Sequence, residues 1–563
     1  MESGSTLGVA RKRDAWDNRT SYLAAASASA IGLGNLFRYP SQVWANYGLQ
    51  WFIPYGCSLV LIGIPLLGLE MVLGQIARSG NIAAFGRIHP ALRGMGLASQ
   101  VCGYIVPMYY NVLISYALFY LLKSFVNPLP WTANGGSADN VSEYFYDEVL
   151  QYSSINGGDP APSVVVPSLY GLTVFVWIAI YAALFRGPSV MGKVSMVTTA
   201  ISVLMLFVIV IRACTLPNAW DGIKLYIGTW RSSNLATTSV WTSAAGQVFF
   251  STGICQGVFS AYASYADIYE NTVEDAYIVA LANAAYEVIG GFAAFGIAGF
   301  LAMDPNTVKL NSYAVGFVTY PQAIATLPGA NAWSFFFFLT VFLLGWDSSW
   351  SLLETLATSL YDARWFSSVT SRRWGKELIL GGMCIVGALA SLLYCTSFGL
   401  DAIGAVDQYV TELGLIVVGF MYCFGISYLY RFRDVVQEVG WVAFSVHCAT
   451  YLIAPIFGVV IGYASTPLTG FVSGLIGGTI GFASAHFLAN NPETDMGYSE
   501  HVAKLYWLNF YTCDQFRKDV DGVLLQAAGN RPFPTWWVAV LRFATAPILL
   551  GKGNRHSMKE GRK

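Results

Sequence analysis

Charge is what this sequence has least of. Only 11% of its residues are Asp, Glu, Lys or Arg, where soluble domains carry about 25%. That deficit excludes an ordinary soluble domain, and a net charge of −1 excludes a nucleic-acid partner gripped by a basic face. The nine cysteines form no CxxC pair and no zinc-ligand spacing. Lying mostly within apolar runs, they read as small packing residues. No nucleophile–base pairing, metal-ligand cluster or phosphate-binding glycine loop is present, so neither an enzyme nor an organic cofactor is expected. The N-terminus is polar and basic, with no short apolar segment and cleavage site behind it, so no cleavable signal peptide is expected.

What remains is apolar: 55% of residues are hydrophobic and the mean hydropathy is +0.52. Stretches near or above the roughly 20 residues that span a bilayer occur at 22–47, 50–78, 97–125, 165–185, 193–213, 240–265, 275–302, 333–361, 376–396, 409–429, 441–463 and 467–489. An all-α polytopic membrane protein of about twelve transmembrane helices follows. Arg11, Lys12, Arg13 and Arg19 precede the first span, and Arg78, Arg87 and Arg93 follow the second. Arg186 and Lys193 follow the fourth, Arg364, Arg372, Arg373 and Lys376 the eighth, and Arg431 and Arg433 the tenth. All fall on one side, which the charge rule places in the cytoplasm with both termini. The acidic loop Ala266–Asp275 breaks this pattern.

The expected organisation is an N-terminal cytoplasmic segment 1–21, a core 22–430, two peripheral helices in 431–489 and a cytoplasmic C-terminal region 490–563. An outer loop at about 126–164 carries the sequon Asn140-Val141-Ser142, a candidate glycosylation site. Trp536–Leu550 is too short to span comfortably and contains Arg542 and Pro547. It reads as an interfacial or partly inserted helix. Gly470, Gly474 and Gly478 recur every four residues and suit either an oligomer face, as in a homodimer, or packing within the chain.

The stretch Ala28–Pro40 is the least helical part of the first span. Gly32 and Gly34 bracket Leu33, and Asn35 and Arg38 follow at once. A helix broken there frees backbone groups at mid-membrane depth, which persist in lipid only where they line a cavity. A second small-residue stretch, Ser251–Gly257, interrupts the sixth span. Asp347 sits in the middle of the apolar run 333–361, an expensive place for a carboxylate without a cation.

Gly32-Leu33-Gly34-Asn35-Leu36-Phe37-Arg38-Tyr39-Pro40 resembles the first-helix signature of the neurotransmitter:sodium symporters. Tyr109-Tyr110, Gly187–Lys193, Leu216–Ile223, Gln247–Ser251, Tyr262–Tyr265 and Gly345–Ser349 match the family in the same order. The last part, Leu505–Leu550, resembles fungal members. The resemblance implies the 5+5 inverted-repeat fold of the bacterial leucine transporter, with the first and sixth helices unwound. It implies a sodium-coupled amino acid symporter working by alternating access, in the plasma membrane. The alternatives are an amino-acid-sensing receptor with little transport, and a symporter of GABA or betaine type.

The same resemblance assigns residues. One sodium falls to the Ala30 carbonyl, Asn35, Ser251, Asn283 and the substrate carboxylate. A second falls to the carbonyls of Ala28, Ile31 and Leu344 with Asp347 and Ser348. Read alone, Asn35, Ser251 and Asn283 are equally helix-packing hydrogen bonds. The substrate pocket comprises Ala30, Leu33, Gly34, Val106 and Tyr110, with Phe250, Gln256, Ser348, Ser351 and Leu352. Gly32 stands where monoamine carriers have Asp, which favours an amino acid over a monoamine. Leu33 stands where carriers of omega-amino acids tend to have Gly, which favours a small or medium alpha-amino acid. Gln256, with Ser351, suits a polar side chain.

Glu287 falls where chloride-dependent members have Ser. Two cations and a zwitterion need negative charge nearby, and a fixed carboxylate supplies it without chloride. Tyr55, Gln247 and Ser251 complete that site. Arg38 with Asp407, above a lid of Tyr110 and Phe250, forms the expected outer gate. Arg13 with Asp362, flanked by Trp16 and Tyr265, forms the inner one, and Glu70 is expected to bond the unwound backbone of the sixth helix. Two departures stand out: Asn46-Tyr47-Gly48-Leu49 replaces the family's Asn-Gly-Gly-Gly, and Pro107 precedes Met108-Tyr109-Tyr110.

Overall fold

The computed structural model describes residues 14–135, 138–152, 164–493, 497 and 499–549. Among the described residues, ten helices are long and apolar enough to cross a membrane. They are α3 (Leu49–Ala77), α4 (Pro90–Lys123), α5 (Pro167–Leu184), α6 (Pro188–Cys214), α9 (Thr272–Phe300), α10 (Ala330–Asp362), α11 (Gly375–Cys395), α12 (Gly399–Leu429), α13 (Trp441–Ala464) and α14 (Leu468–Leu488). The remaining two expected spans are broken. The first divides into α1 (Arg19–Ala30) and α2 (Tyr39–Ala45), and the sixth into α7 (Thr238–Ser251) and α8 (Val258–Ser264). Among the described residues the one extended pairing is a single bridge between Val165 and Thr396. The twelfth-span count therefore holds, although α12 begins ten residues earlier than its hydropathy suggested, and α4 runs unbroken through Pro107.

The first break has local causes. Ile31 ends α1 in an extended conformation, φ −82° and ψ 107°. The Gly32 N–H, which in a continuous helix would reach the Ala28 carbonyl, instead donates to Asn35 Oδ1 at 2.8 Å. Gly34–Arg38 then forms one widened turn before α2. Position 32 packs closely on α10: a Cβ there would lie 2.6 Å from Ser348 Oγ, which would have to turn away. In the second break, Gly253, Cys255 and Gly257 all take positive φ. Its freed backbone is met by Glu70, whose Oε1 accepts from the Cys255 N–H at 2.7 Å, and by Ser99, whose hydroxyl donates to the Cys255 carbonyl at 2.7 Å. Unwound backbone inside a bundle survives only when satisfied in this way.

Around the breaks, α4 packs along α10, α8 along α3, and α1 against α6 and α9. The glycine stripe of α14 is used within the chain. A Cβ at Gly470 would come 2.3 Å from Gly462 Cα, and one at Gly474 would come 3.2 Å from the Ala454 carbonyl, both on α13. Gly470→Leu must push the two helices apart. It is expected to lower stability by about 1–3 kcal/mol and to leave the oligomeric state alone. Thermal unfolding and light scattering in detergent check both, and an unchanged transition with altered oligomers would contradict the placement.

After α14 come α15 (Glu500–Asn509), α16 (Tyr511–Leu524) and α17 (Thr535–Leu549). α17 lies in a groove of the bundle, against α3, α9 and α12, with Trp537, Arg542 and Leu549 buried.

Candidate functional site

A cavity of about 60 Å³ lies where the two breaks meet α4 and α10. Of the residues expected to line it, Ala30, Gly34, Val106, Tyr110, Phe250, Gln256, Ser348 and Leu352 do so. Leu33 and Ser351 stand behind the wall. Leu33 lies on the side of α10's Gly345, and its N–H donates to Tyr110 Oη at 3.1 Å. Ser351 accepts from Tyr262 Oη at 2.6 Å and donates to the Asp347 carbonyl at 2.7 Å, so its hydroxyl is already engaged. Ser29, Thr252, Gly253, Val258 and Phe259 line the cavity without having been anticipated. All five lie at or beside one of the two breaks.

Asn35, Asn283 and Ser251 form a buried chain: Asn35 Nδ2 donates to Asn283 Oδ1 at 2.7 Å, and Asn283 Nδ2 to Ser251 Oγ at 3.0 Å. Ala30 closes α1 beside them, where the last carbonyls of a helix lack N–H partners and carry its negative dipole end. The second oxygen cluster is built on α10. Ser348 Oγ donates to the Leu344 carbonyl at 3.1 Å and reaches the Ile31 carbonyl at 3.5 Å. Asp347, the preceding residue, is 1% exposed and its Oδ1 has no hydrogen-bond partner. An unpartnered buried carboxylate oxygen is costly by itself, and carboxylate, hydroxyl and backbone carbonyl oxygens are the donors a hard cation takes.

Glu287 is fully buried on α9. Its Oε2 accepts from Tyr55 Oη at 2.5 Å and its Oε1 from Gln247 Nε2 at 2.6 Å. Gln247 Oε1 in turn accepts from Arg38 Nη1 at 2.9 Å, so one amide bridges the carboxylate to a guanidinium. Ser251, which ends the Asn35–Asn283 chain, lies beside the same carboxylate.

At the Arg38 end, Arg38 and Asp407 are held by different partners. Arg38 bonds Gln247 and stacks 4.7 Å over the Phe250 ring, while Asp407 Oδ1 accepts from Tyr109 Oη at 2.6 Å. Position 47, where the family has a glycine, stacks its tyrosine ring 3.9 Å from Arg231, and the Leu49 N–H bonds the Thr229 carbonyl at 2.8 Å. These contacts tie the α2–α3 turn to the segment before α7.

The opposite end is shut by aromatics. Trp16 Nε1 donates to the Tyr262 carbonyl at 2.9 Å, and its ring packs edge-on against Tyr262 and Tyr265. Tyr265 Oη reaches Glu354 at 2.9 Å. Asp362 accepts from the Gly80 N–H at 2.7 Å, and Arg13 lies outside the described residues. Nearby, the Ser189 hydroxyl and the Lys193 ammonium hold the Asp17 carboxyl below its usual range. The acidic run that breaks the charge pattern finds its partner here: Arg19 meets Asp275, Glu270 and Glu274 at 2.7, 3.1 and 3.2 Å. Asn140 sits half-buried on the short helix Ala138–Glu143.

Residues 13–460 match the sodium:neurotransmitter symporter family. The chain is 31% identical over 481 residues to the mouse sodium- and chloride-dependent neutral and basic amino acid transporter B(0+), covering 76% of this chain and 74% of that protein. It is 33% identical over 457 residues to the Drosophila melanogaster sodium-dependent serotonin transporter, covering 76% and 72%. It is 30% identical over 458 residues to the bovine sodium- and chloride-dependent GABA transporter 2, covering 76% of each. Its fold matches the crystal structure of MhsT in complex with L-phenylalanine at a TM-score of 0.62 and 20% identity, over 84% of this chain and 99% of that one.

Proposed function

Because this chain belongs to the sodium:neurotransmitter symporter family, and is therefore a sodium-coupled membrane transporter, we propose that it carries a small alpha-amino acid inward with sodium and without chloride. The observation that carries the substrate assignment is the cavity's lining, which offers hydroxyls, amides and aromatic rings and, among the described residues, no carboxylate to pair with an isolated amine. The substrate carboxylate is to meet the sodium held by Ala30, Asn35, Ser251 and Asn283. Position 32, a glycine, offers no counter-ion for an isolated amine. Asp347 and Ser348, with the carbonyls of Ala28, Ile31 and Leu344, take the second sodium. Glu287, among Tyr55, Gln247 and Ser251, supplies the negative charge that chloride supplies elsewhere.

Alternating access then opens the Arg38 end, through Tyr110, Phe250, Arg38 and Asp407, and the Trp16 end, through Trp16, Tyr265 and Asp362, in turn. The basic loops on the Trp16 side support a cytoplasmic position for that end, and the plasma membrane is the expected location.

Uptake of labelled amino acids into proteoliposomes under an inward sodium gradient, in chloride and in gluconate, tests this reading. Accumulation of a small amino acid in both media is expected. Sodium-dependent binding without accumulation would instead favour a receptor, and selective uptake of GABA or betaine would overturn the alpha-amino acid assignment. Gln256 on the cavity wall is the candidate reader of a polar side chain. Gln256→Phe is expected to shift the ratio of kcat/KM for polar over apolar substrates by about tenfold, since an amide that hydrogen-bonds substrate discriminates against analogues that cannot reply. An unchanged ratio would remove Gln256 from that role.

A further inference from the structure

α17 enters its groove point first and touches the transport core along its length. Trp537 is fully buried and seated on Gly68 of α3, where a Cβ would come 2.2 Å from the indole ring. Its ring also packs 5.3 Å from Tyr277 of α9. Thr545 Oγ1 donates to the Leu61 carbonyl of α3 at 2.5 Å. Leu549 ends the described helix beside Gly419 of α12, a position that also adjoins Cys255 in the α7–α8 break. The other wall of the groove is gripped by Arg542. This guanidinium, 2% exposed, donates to the Ser427 carbonyl at 2.8 Å and the Leu508 carbonyl at 2.7 Å, in the last turns of α12 and α15. Helix ends carry the negative pole of the backbone dipole, so a cation is held there without a carboxylate. Tyr451 of α13 donates to the Arg542 carbonyl at 2.5 Å.

The C-terminal segment thereby brackets α8. Leu549 stands near the break before α8, and Asn530 Nδ2 donates to the Tyr269 carbonyl in the loop after it at 2.7 Å. α8 and its end carry Tyr262 and Tyr265, the partners of Trp16, and the loop after it carries Glu270, which holds Arg19. Trp16 closes against α8, and the seated segment touches both flanks of α8 and the wall formed by α12.

We propose that the C-terminal segment is an intrachain brake: seated, α17 ties α3 and α8 to α12 and keeps the Trp16 end of the pathway closed, and unseating it lets that end open. The proposal rests on the transporter reading of the core. The reporter is a thiol introduced by Ser264→Cys at the buried Trp16 end of α8, in a Cys255→Ser background because Cys255 adjoins Leu549 itself; its maleimide adduct is quantified by mass spectrometry in the full-length chain. Two unseating variants are used, because Arg542→Ala risks misfolding: that one, and the milder pair Asn530→Ala with Thr545→Val. In sodium-free buffer, unseating is expected to raise labelling at position 264 at least tenfold. Sodium is expected to reverse the increase, with the half-saturating sodium concentration raised about threefold because sodium must now work against a populated open state. Unchanged labelling in the folded double variant would overturn the brake. So would increased labelling that sodium fails to reverse in a variant of lowered thermal stability, which is plain loosening. Sodium that fails to protect the reporter chain with α17 seated would count against the proposed sodium sites, and the sodium-free comparison would still decide the brake.

Discussion

Glu287→Ser is expected to convert chloride-indifferent uptake into uptake that requires chloride. The carboxylate is fully buried and accepts hydrogen bonds from Tyr55 and Gln247. Those donors are already aimed at a negative charge, so removing the carboxylate leaves a cradle that an anion can enter. The energetic consequence is large. A unit charge about 6 Å from a cation, at an effective dielectric constant of about 20, is worth about 3 kcal/mol. Without chloride the variant should therefore lose about 100-fold in apparent sodium affinity, and chloride at tens of millimolar should restore most of it. Glu287→Gln separates charge from shape: it refills the space but carries no charge, so it should transport poorly in both media. Uptake by Glu287→Ser that stays equal in chloride and gluconate would remove this residue from the charge balance, leaving the symporter assignment standing.

Much of this was legible before any coordinates because the site residues violate the rules of an apolar helix. The glycine pair with Asn35 and Arg38 in one span, and Asp347 in another, are costly in lipid unless a cavity or an ion repays them; the first break lies where the glycines and Asn35 cluster, while Asp347 stands in the unbroken α10. Facing was harder to see. Leu33 and Ser351 have the composition of lining residues, yet one lies on the Gly345 side of α10 and the other is committed to Tyr262 and the Asp347 carbonyl. Thr252 and Phe259 point into the cavity only because the backbone between them has left the helix, and hydrophobic periodicity carries no information across such a break. The placement of α17 was the least legible. Fifteen apolar residues with one arginine read as a helix lying on a surface. The cue to burial is that Gly68 and Gly419, far away in the chain, leave room for Trp537 and Leu549. Likewise the α14 glycine stripe permits close packing of some helix, and only the fold identifies α13 as that helix.

Asp347→Asn is expected to abolish sodium-driven accumulation, with a loss of at least 100-fold, while leaving the protein folded. The carboxylate is 1% exposed and one of its oxygens has no hydrogen-bond partner. An ionised carboxylate so placed is costly unless a cation or proton compensates it. Asparagine keeps the volume and removes the charge, so the sodium-free variant should be at least as heat-stable as the wild type. The wild type, by contrast, should gain stability from sodium by mass action, about 1.4 kcal/mol at ten times the dissociation constant. In the variant the second cluster, with Ser348 Oγ against the Ile31 and Leu344 carbonyls, keeps only neutral donors and should no longer bind at these concentrations. The sodium-dependent rise in the unfolding temperature should accordingly shrink to the part contributed by Asn35, Ser251 and Asn283. Measuring unfolding against sodium in both proteins, with potassium as the ionic-strength control, distinguishes the cases. A variant that retains the full sodium response and still accumulates substrate would show that Asp347 is a structural carboxylate, and the second sodium would have to be sought elsewhere.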